Sequence, residues 1–477
     1  SYPAPTEAAV AYAWRELLQR AGVDEPGTFP VRLHYGSQRV DSNAPTLVVR
    51  QAATASIEAL LDPGAPPLSI LDIEAALPAG AAAVLPFPLP VLMWGEGTAG
   101  TAFASQTDPR TIVVDVDVIA STLFMLTRHE EKLSSQRDDH GRFPSSASVA
   151  ARLGFLDRPL LDEYAVVVRE WLRVLIPGWT PALRRFTVCP THDVDTLFPF
   201  RTFSSAFRSF GGELFKRGGG VGEGVRLFRT ALLEAAAPEK SVNLAGLYEL
   251  ATLSRRLNLP GAFYFMARRA PIDSDYDLDE PLVRDCIRRL EADGFEIGLH
   301  PSYSTVGDLE QLKREKAALD TLVRQEHCGG RQHFLRFRVP DTWLAWEAAG
   351  LSYDCTLGYA DREGFRCGTC HPFRPFDVQG DRELSLWEIP LVVMDVTLRN
   401  YRRYSPEEAE ERMLRLARYC QLVGGKFTIL WHNSSLAGTW APWAAAYRRV
   451  LEACGNAMAG EPRPIPISTV RTQSLNA

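Results

Sequence analysis

Thr191-His192-Asp193-Val194-Asp195 follows the apolar run Phe186-Thr187-Val188-Cys189, and that junction decides how the larger part of the chain is read. Successive side chains of a strand point to opposite faces, so Asp193 and Asp195 share a face if the strand continues that far. Two carboxylates side by side at the end of a buried strand need a metal, a cation or a shared proton. His192 falls on the opposite face and reads as structural. There is also a plainer reading, in which an Asp at a strand end caps the next turn or helix. Asp115-Val116-Asp117 repeats the pattern after Thr111-Ile112-Val113-Val114, so the pair alone does not define a site.

Outward from this stretch, strands and helices alternate. Strand candidates are Phe186–Cys189, Ala262–Met266, Glu296–Leu299, Phe334–Phe337, Ser352–Leu357, Glu388–Met394, Phe427–Leu430 and Ile465–Val470. Helices are expected over Leu244–Arg256, Glu280–Asp293, Asp308–Arg324 and Pro406–Leu422. Up to eight strands separated by helices predict an α/β fold with a (β/α) barrel; an open doubly wound sheet is the alternative. An insertion, Phe198 to Lys240, carries the glycine-rich run 216–224. No Gly-Lys-Ser/Thr follows it, so it reads as a loop and not as a phosphate cradle.

The remainder, 1–180, reads as a smaller α/β accessory domain. Thr6-Glu7 opens a helix to about Ala21 that stops at Gly22; Val31–Tyr35, Leu47–Arg50 and Thr111–Val114 are strands; Ile119–Lys132 and Leu160–Leu175 are helices. A boundary is expected in the breaker-rich Ile176-Pro177-Gly178-Trp179-Thr180-Pro181, before a domain spanning 183–477. Arg128, Glu130, Asp139, His140 and Arg142 read as a solvated ion-pair cluster, although they could reach a neighbouring site. With 477 residues, two or three domains are expected. A net charge of −6 without a basic run argues against nucleic acid. No apolar stretch is long enough to span a membrane, and the start of the chain lacks signal-peptide character, so a cytoplasmic location is expected. The eight cysteines show no disulfide spacing.

In a barrel, the C-terminal strand ends converge on one face. Here they carry Asp193 and Asp195, then His300, then Arg336 and Arg338, then Asp395, then His432. Two Asp, two His and an Arg arriving in order are what metal-assisted hydrolysis requires. Residues 183–477 resemble the polysaccharide deacetylase family, the NodB-homology type of carbohydrate esterase. The Asp pair matches that family's first motif, Phe263-Tyr264-Phe265-Met266 its second strand, Arg338-Val339-Pro340 its Arg-x-Pro motif, and Leu430-Trp431-His432 its closing Leu-x-His. The resemblance implies a distorted (β/α) barrel that removes acetyl groups from a glycan or polysaccharide with a divalent metal, zinc in the first place. It further implies Asp193 as general base, Asp195 and His300 as metal ligands, Arg338 as the group that orients the base, and His432 as the acid that protonates the leaving amine. One position departs. The family's second motif is His-(Ser/Thr)-x-x-His, and four residues after His300 this chain has Ser304. Ser304 or His333 is left to supply the missing ligand, with His333 placed at the wrong end of its expected strand.

Cys367-Gly368-Thr369-Cys370-His371 has haem-attachment spacing. It reads instead as a structured loop over the barrel mouth, where Tyr359, Asp361 and Arg366 can meet a sugar. Trp387 and Trp431, with Trp343 and Trp346, offer aromatic faces for sugar stacking, although Trp at such positions is more often core. The expected function is therefore metal-dependent removal of N-acetyl groups from a glycan. The alternative is a non-catalytic glycan-binding protein of polysaccharide assembly with a decayed metal site, favoured by Ser304. The oligomeric state is not legible.

Overall fold

The structure, a computed structural model, describes residues 4–36, 43–82, 85–98, 100, 102–200, 231–232, 234–325 and 328–459. Most of the insertion 198–240, its glycine-rich run and the expected strand Ile465–Val470 lie outside the described residues.

The first helix, Glu7–Ala21, starts where Thr6 accepts a hydrogen bond from the Ala9 amide and ends at Gly22, whose φ of 94° suits glycine. It packs on the helix Leu160–Leu175. Beside them a four-stranded sheet runs in the order Arg32–Tyr35, Thr46–Val49, Thr111–Val114, Ala104–Asp108, with only the last strand antiparallel. The single helix expected over Ile119–Lys132 is two, Val118–Leu126 and His129–Leu133, broken at Arg128 with φ 51°. The break lets the fully buried Arg128 turn its guanidinium onto Glu130 at 2.6 Å and Glu131 at 2.8 Å. Of the expected solvated cluster, Arg128, Glu130 and Arg142 are therefore internal, whereas Asp139 is exposed and His140 half-buried.

The second half of the chain holds a five-stranded parallel sheet, ordered Val393–Met394, Lys426–Leu430, Thr187–Val194, Ala262–Phe265, Glu296–Leu299. Past its last strand, Gly330 bridges in parallel to both Leu299 and Asp354. Tyr353–Asp354 then pairs in parallel with Trp387–Glu388. Further along the same segment the Leu391 amide donates to the Leu357 carbonyl and the Val392 amide to the Thr428 carbonyl. Residues 387–394 thus have hydrogen-bonded neighbours on both sides.

The expected strand Phe334–Phe337 does not form. The chain pairs instead at Gly330, and His333–Leu335 is a short turn in which Phe334 and Leu335 are left-handed, φ 60° and 53°. Only glycine fits at the pairing position: a Cβ on Gly330 would lie 1.9 Å from the Leu299 carbonyl oxygen.

The apolar core is continuous through both halves and includes Phe124, Tyr164, Phe263, Ile297 and Trp431. Cys367–His371 is not over a barrel mouth. It is buried against the helix Leu160–Leu175, with the Leu161 amide donating to the Gly368 carbonyl, and it reaches the beginning of the strand Lys426–Leu430. Among the described residues no helix is long and apolar enough to cross a membrane.

Candidate metal centre

The strand Thr187–Val194 carries Asp193 and delivers Asp195 just past its end. The adjacent strand Lys426–Leu430 delivers His432, and the strand Glu296–Leu299, two places away on the other side beyond Ala262–Phe265, delivers His300. Asp195 stands at the centre. His300 Nε2 lies 3.2 Å and His333 Nε2 3.8 Å from its Oδ1, and His432 Nε2 lies 3.6 Å from its Oδ2. One ligand atom each from Asp195, His300 and His333 falls within a 4.8 Å cluster.

Each imidazole is fixed through its other nitrogen. His300 Nδ1 donates to the Arg331 carbonyl at 2.6 Å. His333 Nδ1 bonds Asp273 at 2.9 Å, and His432 Nδ1 bonds Asp395 at 2.8 Å. Holding Nδ1 aims Nε2 inward, the arrangement metal-binding histidines use. The buried Oδ1 of Asp195 has no hydrogen-bond donor in good geometry, although His300 Nε2 lies only 3.2 Å away. A bare Nε2 facing a carboxylate lone pair is resolved by a cation between them, so the donors fit a divalent metal of the nitrogen- and oxygen-liking kind.

Burial raises the Asp195 carboxyl, but His300, His432 and His333 outweigh it and hold the group well below the ordinary range. Burial by itself would lower the His432 imidazolium; Asp395, with Asp195 and Asp193 behind it, more than offsets that and pushes it up to about 10. Burial keeps His333 lowered.

The arginine on Asp193 is Arg331, not Arg338. Arg331 is fully buried; it donates to Asp193 Oδ1 at 2.7 Å and to Thr191 and the Cys355 carbonyl. Arg338 is exposed and lines a different hollow beside Trp346. The shift of the strand pairing to Gly330 is the reason, since it brings the next residue, and not one seven positions later, beneath the Asp pair. Ser304 is also outside the centre: it is exposed and accepts from Gln311. His333 stands in its stead, because the irregular turn returns it to the strand-end face.

The expected sugar contacts are elsewhere. Tyr359 accepts from Arg128, Asp361 accepts from Ser145, and Arg366 is buried on Glu131 at 2.5 Å, all at the junction with the first half. Trp431 is fully buried and stacked on Tyr447. Trp387 is exposed, but at the opposite end of its segment, under Arg374. His192 is buried on Phe263 and bonds the Trp431 carbonyl, as a structural residue would. Asp117 of the twin motif caps the helix Val118–Leu126.

Three groups escaped the sequence reading: Arg331, Asp273 and the bond of Asp395 to His432. The paired glycines before Arg331 were a signal of close backbone approach. Asp273, in a loop, had none. A second buried group, Asp162 with Cys370 and His371, also has ligand atoms close together. Its polar atoms are engaged already, Asp162 by Arg20, Thr369 and the Cys370 amide, and His371 by the Val423 carbonyl.

The centre opens into a cavity of about 220 Å³ lined by Leu335, Met394, Val396, Tyr401 and Arg142. Arg142 comes from the first half of the chain, with its guanidinium bonded to Asp138, the Phe334 carbonyl and Tyr401. A wider groove adjoins on the Asp195, His333 and Phe334 side, bounded by Arg269 and Asp275.

A family model matches residues 70–177; it describes a family of unknown function (DUF7033). Among curated proteins no relative matches the sequence. Among solved structures, a provisionally assigned polysaccharide deacetylase from Mycobacterium smegmatis is similar at 21% identity and TM-score 0.39, over 58% of this chain and 87% of that one. Another, provisionally assigned and described as involved in O-antigen biosynthesis in Bordetella bronchiseptica, is similar at 14% identity and TM-score 0.29, over 57% and 81%.

Proposed function

We propose that the chain is a metal-dependent hydrolase that removes N-acetyl groups from a glycan or polysaccharide precursor. The observation that carries this reading is the set of three imidazoles, each anchored at Nδ1, whose Nε2 atoms surround Asp195 beside an arginine-held Asp193. The reading treats 183–477 as a distorted barrel of seven strands that closes through residues 387–394, preceded by an accessory domain over 1–180.

Asp195, His300 and His333 would hold the metal, with zinc the first candidate for such a donor set. When bound, it supplies a Lewis acid for the acyl carbonyl and for water. Asp193, its Oδ1 engaged by Arg331, keeps Oδ2 to take a proton from the attacking water. His432, braced by Asp395 and charged at neutral pH, faces the same cavity and donates a proton from Nε2 to the leaving nitrogen. Leu335, Met394 and Val396 offer an apolar wall to the acetyl methyl, and the adjoining groove has room for sugar rings. Arg338, Ser304, Tyr359, Asp361, Arg366, Trp387 and Trp431 have no part in this scheme. The binding-only alternative rested on Ser304; the nearness of His333 to Asp195 favours the catalytic reading over it.

The test is acetate release from N-acetylated oligosaccharides, together with metal content, for wild type, Asp195→Asn and Asp193→Asn. Asp195→Asn is expected to lose both metal and activity. Asp193→Asn is expected to keep the metal and lose turnover. Full activity in Asp195→Asn sinks the metal assignment, and a metal-free wild type without acetate release over a broad panel sinks the enzyme reading.

A further inference from the structure

We infer that the segment Asp138–Arg142 of the first half of the chain is a positioning element of the metal centre, because it holds the turn that carries His333. The inference rests on His333 being a ligand. That turn is unusual: Phe334 and Leu335 are consecutive non-glycine residues in the left-handed region, a conformation that persists only where the surroundings impose it. Asp273 fixes the His333 ring, but it does not fix the backbone that follows.

The restraint on that backbone comes from Asp138–Arg142. Arg142 Nη1 donates to the Phe334 carbonyl at 2.9 Å, a bond made to the left-handed turn itself. In return Arg336 Nε, one residue past the turn, donates to the His140 carbonyl at 2.9 Å. The His140 ring lies 4.6 Å from the Phe334 ring, and its Nδ1 is 3.3 Å from the Tyr303 hydroxyl. The segment is itself tied together by hydrogen bonds between its two ends. Asp138 bonds Arg142 at both its amide and its Nε, Asp138 N returns to the Arg142 carbonyl, and Gly141 takes the positive φ of 73° that so tight a loop requires. Tyr401 receives the remaining arm of Arg142 at 3.1 Å.

The turn is thus clamped on both sides by residues more than 190 positions earlier in the chain. This segment lies inside the stretch 70–177 matched by the family of unknown function. Its part in the site, on this reading, is to supply from outside the barrel the geometry that a His-x-x-x-His spacing would supply from within one loop. Groups that orient a ligand without touching the metal commonly govern affinity by 10- to 100-fold.

The experiment uses the full chain. Zinc affinity is read by competition with a chromophoric chelator for wild type, Arg142→Met and Arg366→Lys. Arg142→Met is expected to bind zinc about 10- to 100-fold more weakly. Arg366→Lys weakens the ion pair to Glu131 in the same junction, away from the turn; it is expected to melt lower and bind zinc normally. A crystal structure of metal-free Arg142→Met is expected to show Phe334 or Leu335 out of the left-handed region. Wild-type affinity in Arg142→Met, an equal loss in Arg366→Lys, or an unchanged turn overturns the inference. If Arg142→Met does not fold, Arg336→Gln severs the opposite side of the clamp and takes its place. A wild type that binds no zinc defeats the metal reading of the previous subsection, and the crystal structure still decides the role of the segment.

Discussion

Asp395 determines what His432 can do. Its carboxylate is fully buried, accepts from both Nδ1 and the amide of His432, and is the main reason the imidazolium stays charged to about pH 10. His432 donates a proton only while it holds one. Removing the charge with Asp395→Asn should lower the His432 pKa by roughly one to three units, the usual effect of one close opposite charge. The alkaline limb of kcat should then move toward neutral pH while the acid limb stays, which a pH–rate profile measures. The two arginines offer a sharper contrast. Arg331→Gln leaves Asp193 buried without its cation and should cost about 3–5 kcal/mol in urea unfolding. Arg338→Ala, at an exposed position, should stay within about 0.5 kcal/mol. The Asp pair, His300 and His432 were legible because each ends a strand whose apolar run is local. Arg331 was not, because three arginines within eight residues differ only in where the chain stops pairing.

Among the elements, the glycines at 329 and 330 have the largest consequence. The strand there is little more than one residue, admitted between Leu299 and Asp354 because Gly330 has no side chain. Gly330→Ala must push the neighbouring backbone aside, and it also moves the Arg331 carbonyl that anchors His300. We expect a loss of more than about 2 kcal/mol in chemical denaturation, the range of overpacked sites, together with weaker metal binding. Elements with local signals were read closely. Leu160–Leu175 and Pro406–Leu422 have the expected bounds, and Thr6 and Gly22 cap the first helix as their residue types predict. The misread elements, the helix broken at Arg128 and the absent strand at Phe334, both bring a buried polar side chain to a distant partner, Arg128 to Tyr359 as well as to its near neighbours Glu130 and Glu131, and His333 to Asp273. No window of periodicity contains that information.

At the scale of the molecule, the junction between the halves carries buried polar bonds as well as core. Glu131 to Arg366, Thr369 to Asp162, and Arg142 to the Phe334 carbonyl all cross it. With one continuous apolar core, the halves should unfold together. Thermal melts followed by far-UV circular dichroism and by tryptophan fluorescence should coincide; two separated transitions would show that the halves are independent.

The sequence by itself determined the alternation of strands and helices, the caps, the Asp pair and the order in which His300 and His432 follow it. These depend on side-chain periodicity and on contacts within a few residues. Only the tertiary structure decided that Arg331 meets Asp193, that His333 stands where Ser304 does not, that Asp273 and Asp395 hold two of the imidazoles, and that Arg142 reaches in from the other half. Each of those pairings joins residues dozens to hundreds of positions apart, and each is selected by which buried groups must find partners once the core has closed.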